Sequence, residues 1–274
     1  MTRTNSRADA SSSRDTGSQQ DTGSQQDTNS QRDVTGRTQA DSNSPTSSEI
    51  EARLVRFVDQ PPATPNVQYL RDEERVRALD HLGRCDRVLD VASESGVTAG
   101  IDANEVTRVD FASAASDTAE AVLGDTVSDY ALASYDDPQL PFDDDSFDAV
   151  VCIGPYDWPF LDIDALTAEI RRVVVSGGRF VFSVPTPRSP YFANGKNRFL
   201  TPDETTALVS DGWTVVALDF VFQYPRRLHS AVNRLPVPIQ YPFVWGAQLA
   251  TTLLTRTGRA AMASYVVVAA DSTA

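Results

Sequence analysis

The sequence predicts an α/β protein, a three-layer sandwich built on a mostly parallel seven-stranded sheet whose last strand runs antiparallel. Short β-rich apolar runs recur at residues 88–92, 106–111, 147–153, 179–184, 214–222 and 265–269. Helical stretches such as 165–173 and 202–209 alternate with them, and runs that are apolar on both faces belong in a sheet covered on both sides. Two of the runs carry an acid near the end, Asp90 and Asp110, 20 positions apart. That is the spacing of a strand, helix and strand unit that holds a nucleotide-like ligand.

Before the sheet the chain divides in two. Residues 1–48 hold almost no large apolar side chain and repeat in sixes from Asp15, Asp21 and, degraded, Asp27. Such a segment cannot bury enough surface to offset its ordering entropy, so it reads as a disordered low-complexity tail, and residues 49–274 read as the folded domain. A first helix places Ile50, Leu54, Phe57 and Val58 on one stripe and stops at Pro61-Pro62. A second runs from about Tyr69 to Leu82, with Leu70, Val76, Leu79 and Leu82 inward, and ends at Gly83. Within the sheet region, residues 97–103 leave room only for a stunted crossover. Residues 226–262 interrupt the alternation with prolines and aromatics and then a helix around residues 245–254. This insertion is apolar enough to roof a pocket for a small hydrophobic acceptor, or equally to form a homodimer patch. The run at 265–269 then returns beside 214–222.

Composition narrows the class. The net charge is −14, and Lys196 is the one lysine among 24 basic residues, while aspartate dominates the 38 acids. That skew is a haloarchaeal-type, halophilic composition, because short carboxylates hold hydration in brine. The same acidity argues against non-specific nucleic-acid binding. Cys85 and Cys152 imply no disulfide framework, and no apolar run is long enough for membrane insertion. The reading is a soluble cytoplasmic protein with no metal requirement.

Four pieces in order carry a resemblance: residues 88–91, Val109-Asp110, the stretch from Asp136 to Leu140-Pro141-Phe142, and residues 147–151 leading to Gly177-Gly178. The segment of residues 140–151, then 166–173, then Ser176-Gly177-Gly178, is its most specific part. Residues of roughly 70 to 222 resemble a class I S-adenosylmethionine-dependent methyltransferase of the type 11-like group, which implies a Rossmann-like fold. The resemblance implies that S-adenosyl-L-methionine meets Asp90 and the turn Ala92, Ser93, Glu94 and Gly96 at its methionine end. It implies that Asp110 takes the ribose hydroxyls, that Phe111 lies against the adenine, and that Asp136 and Asp137 take the adenine edge. A strand-end carboxylate can accept from both ribose hydroxyls, which is the chemistry behind the Asp110 assignment. The turn departs from the family's alternating glycines, since Ala92 and Glu94 stand where glycines are usual.

The resemblance also places acceptor-side residues after the fourth strand, where Asp157 and Tyr156 are the candidate catalytic pair. Arg188 and Tyr191, in the loop after the fifth strand, are candidate contacts to the substrate. Tyr156 and Trp158 can alternatively pack, and His229 reads as structural more readily than as a base. Function follows as methyl transfer to a small-molecule acceptor, the alternative being a catalytically inactive binding or scaffold protein on the same fold. A nicotinamide oxidoreductase fares poorly, because no G-x-G-x-x-G follows the first strand.

Overall fold

The computed structural model describes residues 45–192 and 197–273. The tail predicted over residues 1–48 lies outside them as far as residue 44. Thr46 closes a capping box with Glu49, so α1 (Ser47–Val58) begins slightly ahead of the predicted start and buries Ile50, Leu54 and Val58. The second helix, α2 (Pro65–Leu82), starts four residues early because Thr64 caps it and Pro65 fits the first helical position. Its buried residues are Asn66, Tyr69, Leu70, Ala78 and Leu82, and Val76, predicted inward, is 52% exposed. Six positions from Leu70 is about 240° around a helix, which carries Val76 out to solvent.

Seven strands follow: β1 (Cys85–Val91), β2 (Ala103–Asp110), β3 (Asp129–Leu132), β4 (Phe147–Ile153), β5 (Val174–Pro185), β6 (Trp213–Val221) and β7 (Tyr265–Ser272). They pair in the order β3-β2-β1-β4-β5-β7-β6, parallel except for β7, which is antiparallel to both neighbours. Thus β7 lies beside β6 as predicted and also against β5, inserted between the two. The short β3 has no sequence signal of its own, because as an edge strand it buries little. The stunted crossover is α3 (Ser95–Thr98), a single turn. The other helices are α4 (Ser113–Leu123), α5 (Ile163–Val173), α6 (Pro202–Ala207), α7 (Arg226–Val232) and α8 (Val237–Thr257). The insertion is thus more helical than predicted, with α8 starting eight residues ahead of Trp245. Pro238 falls in its first turn, where no amide hydrogen bond is lost.

The main core joins one face of the sheet to α1, α4 and α5 through residues such as Leu54, Phe111, Val150, Leu166 and Phe180. A second cluster on the other face packs Ala78 and Leu82 of α2 on Val88, Val151 and Val267. The family-like segment explains itself physically. Arg172 of α5 donates to the carbonyls of Leu140 (2.9 Å) and Phe142 (2.7 Å), while Glu169 accepts from the Leu140 amide at 3.0 Å. These bonds clamp the Leu-Pro-Phe loop on α5. At Gly178 a Cβ would sit 2.8 Å from the Asp148 carbonyl, so only glycine lets β5 bend back onto β4 there.

Candidate active site

The predicted site residues follow the carboxyl ends of β1 to β5, and the structure does not bring them into one cluster. At β1 and β2 the cluster is closed. Parallel pairing sets Arg108 directly beside Asp90, and the two-residue period of a strand turns Arg108 to the same face as Asp110. Its Nε and Nη2 each donate at 2.8 Å to the two oxygens of Asp110. Nη1 donates to Asp90 Oδ2 at 2.8 Å, to Thr98 Oγ1 at 2.8 Å and to the Ser93 carbonyl at 2.9 Å. Asp90 also accepts from the Ser93 amide at 3.2 Å and the Thr98 hydroxyl at 2.6 Å. All three charged side chains are at most 2% exposed. Burial pulls the Arg108 pKa down, but Asp90 and Asp110 outweigh it and the net shift is upward. Burial pushes Asp110 up against the opposing pull of Arg108.

Asp90 organises the turn and faces Arg108. Both oxygens of Asp110 accept from Arg108. The short α3 is what brings Thr98 into the cluster. The turn itself is tightly held: Ala92 takes a left-handed φ of 46°, and the Ser93 hydroxyl accepts from the Ile153 amide at 3.0 Å. Glu94 turns outward and pairs with Arg71 of α2 at 3.4 Å, while Gly96 lies under the Arg75 side chain. Phe111 is buried with its ring edge-on to Trp158 at 6.2 Å. Asp136 and Asp137 remain exposed beyond β3 on the clamped loop.

Tested against S-adenosylmethionine, the group the resemblance implies, the edge divides. The exposed Asp136 and Asp137 fit an adenine edge, whereas Asp110 is buried with each oxygen accepting from a guanidinium, so this edge offers a ribose no exposed carboxylate at that position.

The second cluster lies beyond β4 and β5. Gly154 ends β4 at φ 116°, and a Cβ there would overlap the Phe57 ring, so α1 packs directly onto this edge. Phe57 meets Trp158 edge-on at 5.4 Å. We expect Gly154→Ala to cost about 1–3 kcal/mol in urea unfolding by displacing α1; an unchanged midpoint would show that α1 does not seat there. Asp157 follows, its Oδ2 accepting from Asn197 at 2.8 Å and its Oδ1 lying 3.8 Å from Arg53 Nη2. Oδ1 has no hydrogen-bond partner among the described residues, and the same holds for Trp158 Nε1 and Arg198 Nη1. Burial pushes the Asp157 carboxyl up to about 7 against the pull of Arg53 and Arg198. Glu74 of α2, missed in the sequence, reaches the same region, with Ser183, Asp157 and Arg71 acting on it. Burial first, opposed by the Ser183 hydroxyl, and then the nearby charge of Asp157 bring it to about 8. The signal that could have found it is its place midway around the arc of α2 buried by Leu70 and Ala78.

Two carboxyls raised in the folded state bind protons that the unfolded chain releases. Their contribution to stability is therefore expected to be full below the ordinary carboxylate range, to fall as pH rises through about 7 and 8, and then to level off. Each group sets a slope of up to about 1.4 kcal/mol per pH unit. Urea unfolding across that window checks this, and a Glu74→Gln variant with an undiminished slope would refute the assignment.

The other predicted residues separate. Tyr156 is fully buried, its hydroxyl bonded to Thr167 at 2.6 Å and its ring against Phe180 and Phe182. It packs in the core, turned away from the acceptor edge. Arg188 is exposed on its loop. Tyr191 is half-buried against His229 and sits within electrostatic reach of Arg71 and Glu74. His229 is buried between Asn66 and Asn233, and burial lowers it to about 4, so it is structural. Beside the Asp157 loop lies a cavity of about 690 Å³ lined by Phe160, Leu161, Arg198, Leu200 and Leu208 among others.

Comparison with known proteins agrees with this architecture. The family described as a methyltransferase domain matches residues 89–182. No curated protein matches the chain. Among solved structures, the geranyl diphosphate C-methyltransferase of Streptomyces coelicolor A3(2), in complex with Mg2+, geranyl diphosphate and S-adenosyl-L-homocysteine, is similar at 19% identity. The match has a TM-score of 0.52 and covers 84% of this chain and 86% of that one. The [4+2]-cyclase SpnF is similar at 18% identity and a TM-score of 0.54, covering 84% and 97%. A chain in the complex of the Haloferax volcanii Trm112 methyltransferase activator matches at 18% identity and a TM-score of 0.51, covering 76% and 92%. The chain has a Rossmann-like fold of the kind seen in class I methyltransferases, and its residues 89–182 match the methyltransferase-domain family.

Proposed function

We propose that the chain is an S-adenosylmethionine-dependent methyltransferase acting on a small-molecule acceptor at the β4 edge, with Asp157 as the base. The observation that carries this reading is the Asp157 carboxylate: held beside β4, its Oδ1 3.8 Å from Arg53 with no hydrogen bond, and raised to about 7. A base poised near neutrality and enclosed by α1 and the loop from Asn197 can take a proton from an acceptor hydroxyl. Glu74, kept protonated to higher pH, adds a donor on the same side. Tyr191 lines this region and Arg188 lies at its outer margin. Asp136 and Asp137 hold the adenine end of the cofactor, and the backbone of the turn from Ser93 to Gly96 faces its methionine end. A small acceptor agrees with the fold neighbour solved with geranyl diphosphate. The experiment is a screen of extracted metabolites for radiolabelled methyl uptake from the cofactor, run in high salt, with label appearing in one acceptor class as the expected result.

A second reading has its own observation. Arg108 satisfies both strand-end acids internally, as a chain that kept the fold without the cofactor would. Absence of heat in a cofactor titration, together with no methyl uptake, would favour that reading.

A further inference from the structure

From Phe220 to Ala270 the sequence has no aspartate or glutamate, in a chain of net charge −14. The same span carries Arg226, Arg227, Arg234, Arg256 and Arg259. All five arginines are exposed, and none pairs with a carboxylate among the described residues. The segment folds as α7 and α8 on the flank of α2 and β6. One side of α8 buries Gln240, Val244, Ala247, Thr251 and Leu254. The opposite side exposes every fourth residue as an apolar or aromatic group: Val237 (51%), Tyr241 (45%), Trp245 (64%), Leu249 (62%) and Leu253 (52%). At about 100° per residue these five form one oblique stripe facing away from the body of the protein. Arg226, Arg227 and Arg234 stand before its amino end, and Arg256 and Arg259 at its carboxyl end. Asp72 and Glu73 of α2 line a groove of about 430 Å³ that also touches Val237 and Tyr241.

We propose that α8 is a docking surface for an anionic lipid bilayer, lying in the headgroup plane without spanning it. An apolar stripe with a tryptophan and a tyrosine buries into the acyl boundary, and arginines at both ends meet lipid phosphates. Charge selects this occupant. A surface elsewhere crowded with carboxylates is repelled by anionic lipid, whereas this segment combines exposed apolar side chains with arginines that have no carboxylate partner among the described residues. A second copy of the chain has no such use for five unpaired arginines, since the rims of two identical faces would repel. No helix of the described residues is long and apolar enough to cross a membrane, in keeping with surface attachment. A bilayer at this face would deliver lipid-soluble small molecules to the protein.

The test is flotation of the full chain with phosphatidylglycerol vesicles and, in parallel, with phosphatidylcholine vesicles, followed by tryptophan fluorescence. Trp158 and Trp213 are buried, so a blue shift on binding reports Trp245. We expect binding to phosphatidylglycerol at least roughly tenfold tighter than to phosphatidylcholine. The double variant Trp245→Ser, Leu249→Ser, exposed and therefore compatible with folding, should abolish flotation with circular dichroism unchanged. Replacing Arg226, Arg227 and Arg256 by Gln should remove the preference for phosphatidylglycerol. Absence of binding to either vesicle, or binding that the double variant leaves intact, overturns the proposal. Overturning it too would be a dimer in light scattering that the double variant dissociates, with no flotation of the parent chain.

Discussion

Replacing Arg108 with methionine is expected to destabilise the protein by about 3–5 kcal/mol in urea unfolding. That is the usual penalty for stripping a partner from buried charge. The change leaves Asp90 and Asp110 side by side with no cation, in a site at most 2% exposed. Five hydrogen bonds are lost with it, to Asp110, Asp90, Ser93 and Thr98. Adding Asp90→Asn and Asp110→Asn removes the stranded charges, so the triple variant should recover much of the loss. Asp110→Asn alone should likewise lower stability, and it should leave cofactor affinity nearly unaltered. A loss under about 1 kcal/mol for Arg108→Met would mean that water reaches the cluster and that the strand-end acids are open after all.

The second large effect belongs to Asp157. With methyl uptake as the readout, Asp157→Asn should lower the rate by on the order of 10²- to 10⁴-fold, the usual contribution of a positioned base. The substitution keeps the Asn197 contact and the side-chain volume, so unfolding midpoints should rise or hold, burial having favoured a neutral group there. Below about 7 methyl uptake by the parent chain should fall in step with protonation of the carboxyl, and the variant should show no such step. A variant within about threefold of the parent would remove Asp157 from the chemistry.

Much of this was legible from residue pattern. Apolar runs bounded by helices gave the sheet, since burial on both faces leaves a continuous signal. The segment from Leu140 to Gly178 was readable because Arg172, Glu169 and the tight turn at Gly178 are fixed by local hydrogen bonding and backbone space. The site was less so. Asp157 could be named from its place after β4, but its raised pKa comes from burial in the fold, against the pull of Arg53 and Arg198, which are distant in sequence. Tyr156 is its immediate neighbour, yet the turn there sends the two side chains to opposite sides, one to the edge and one into the aromatic core. Arg108 had a signal that went unread. A strand period of two puts it on the face of Asp110, and parallel pairing puts it beside Asp90. An arginine on a buried face has to find carboxylates, and the two nearest were those assigned to a ligand.

The central claim is that S-adenosylmethionine binds at this edge through the adenine loop and without the Asp110 carboxylate. Calorimetric titration of the full chain with the cofactor, repeated for Asp136→Ala, tests it most directly. Saturable heat from the parent, with affinity reduced roughly tenfold by loss of the Asp136 hydrogen bond, is the predicted result. No heat from the parent at millimolar cofactor would contradict it.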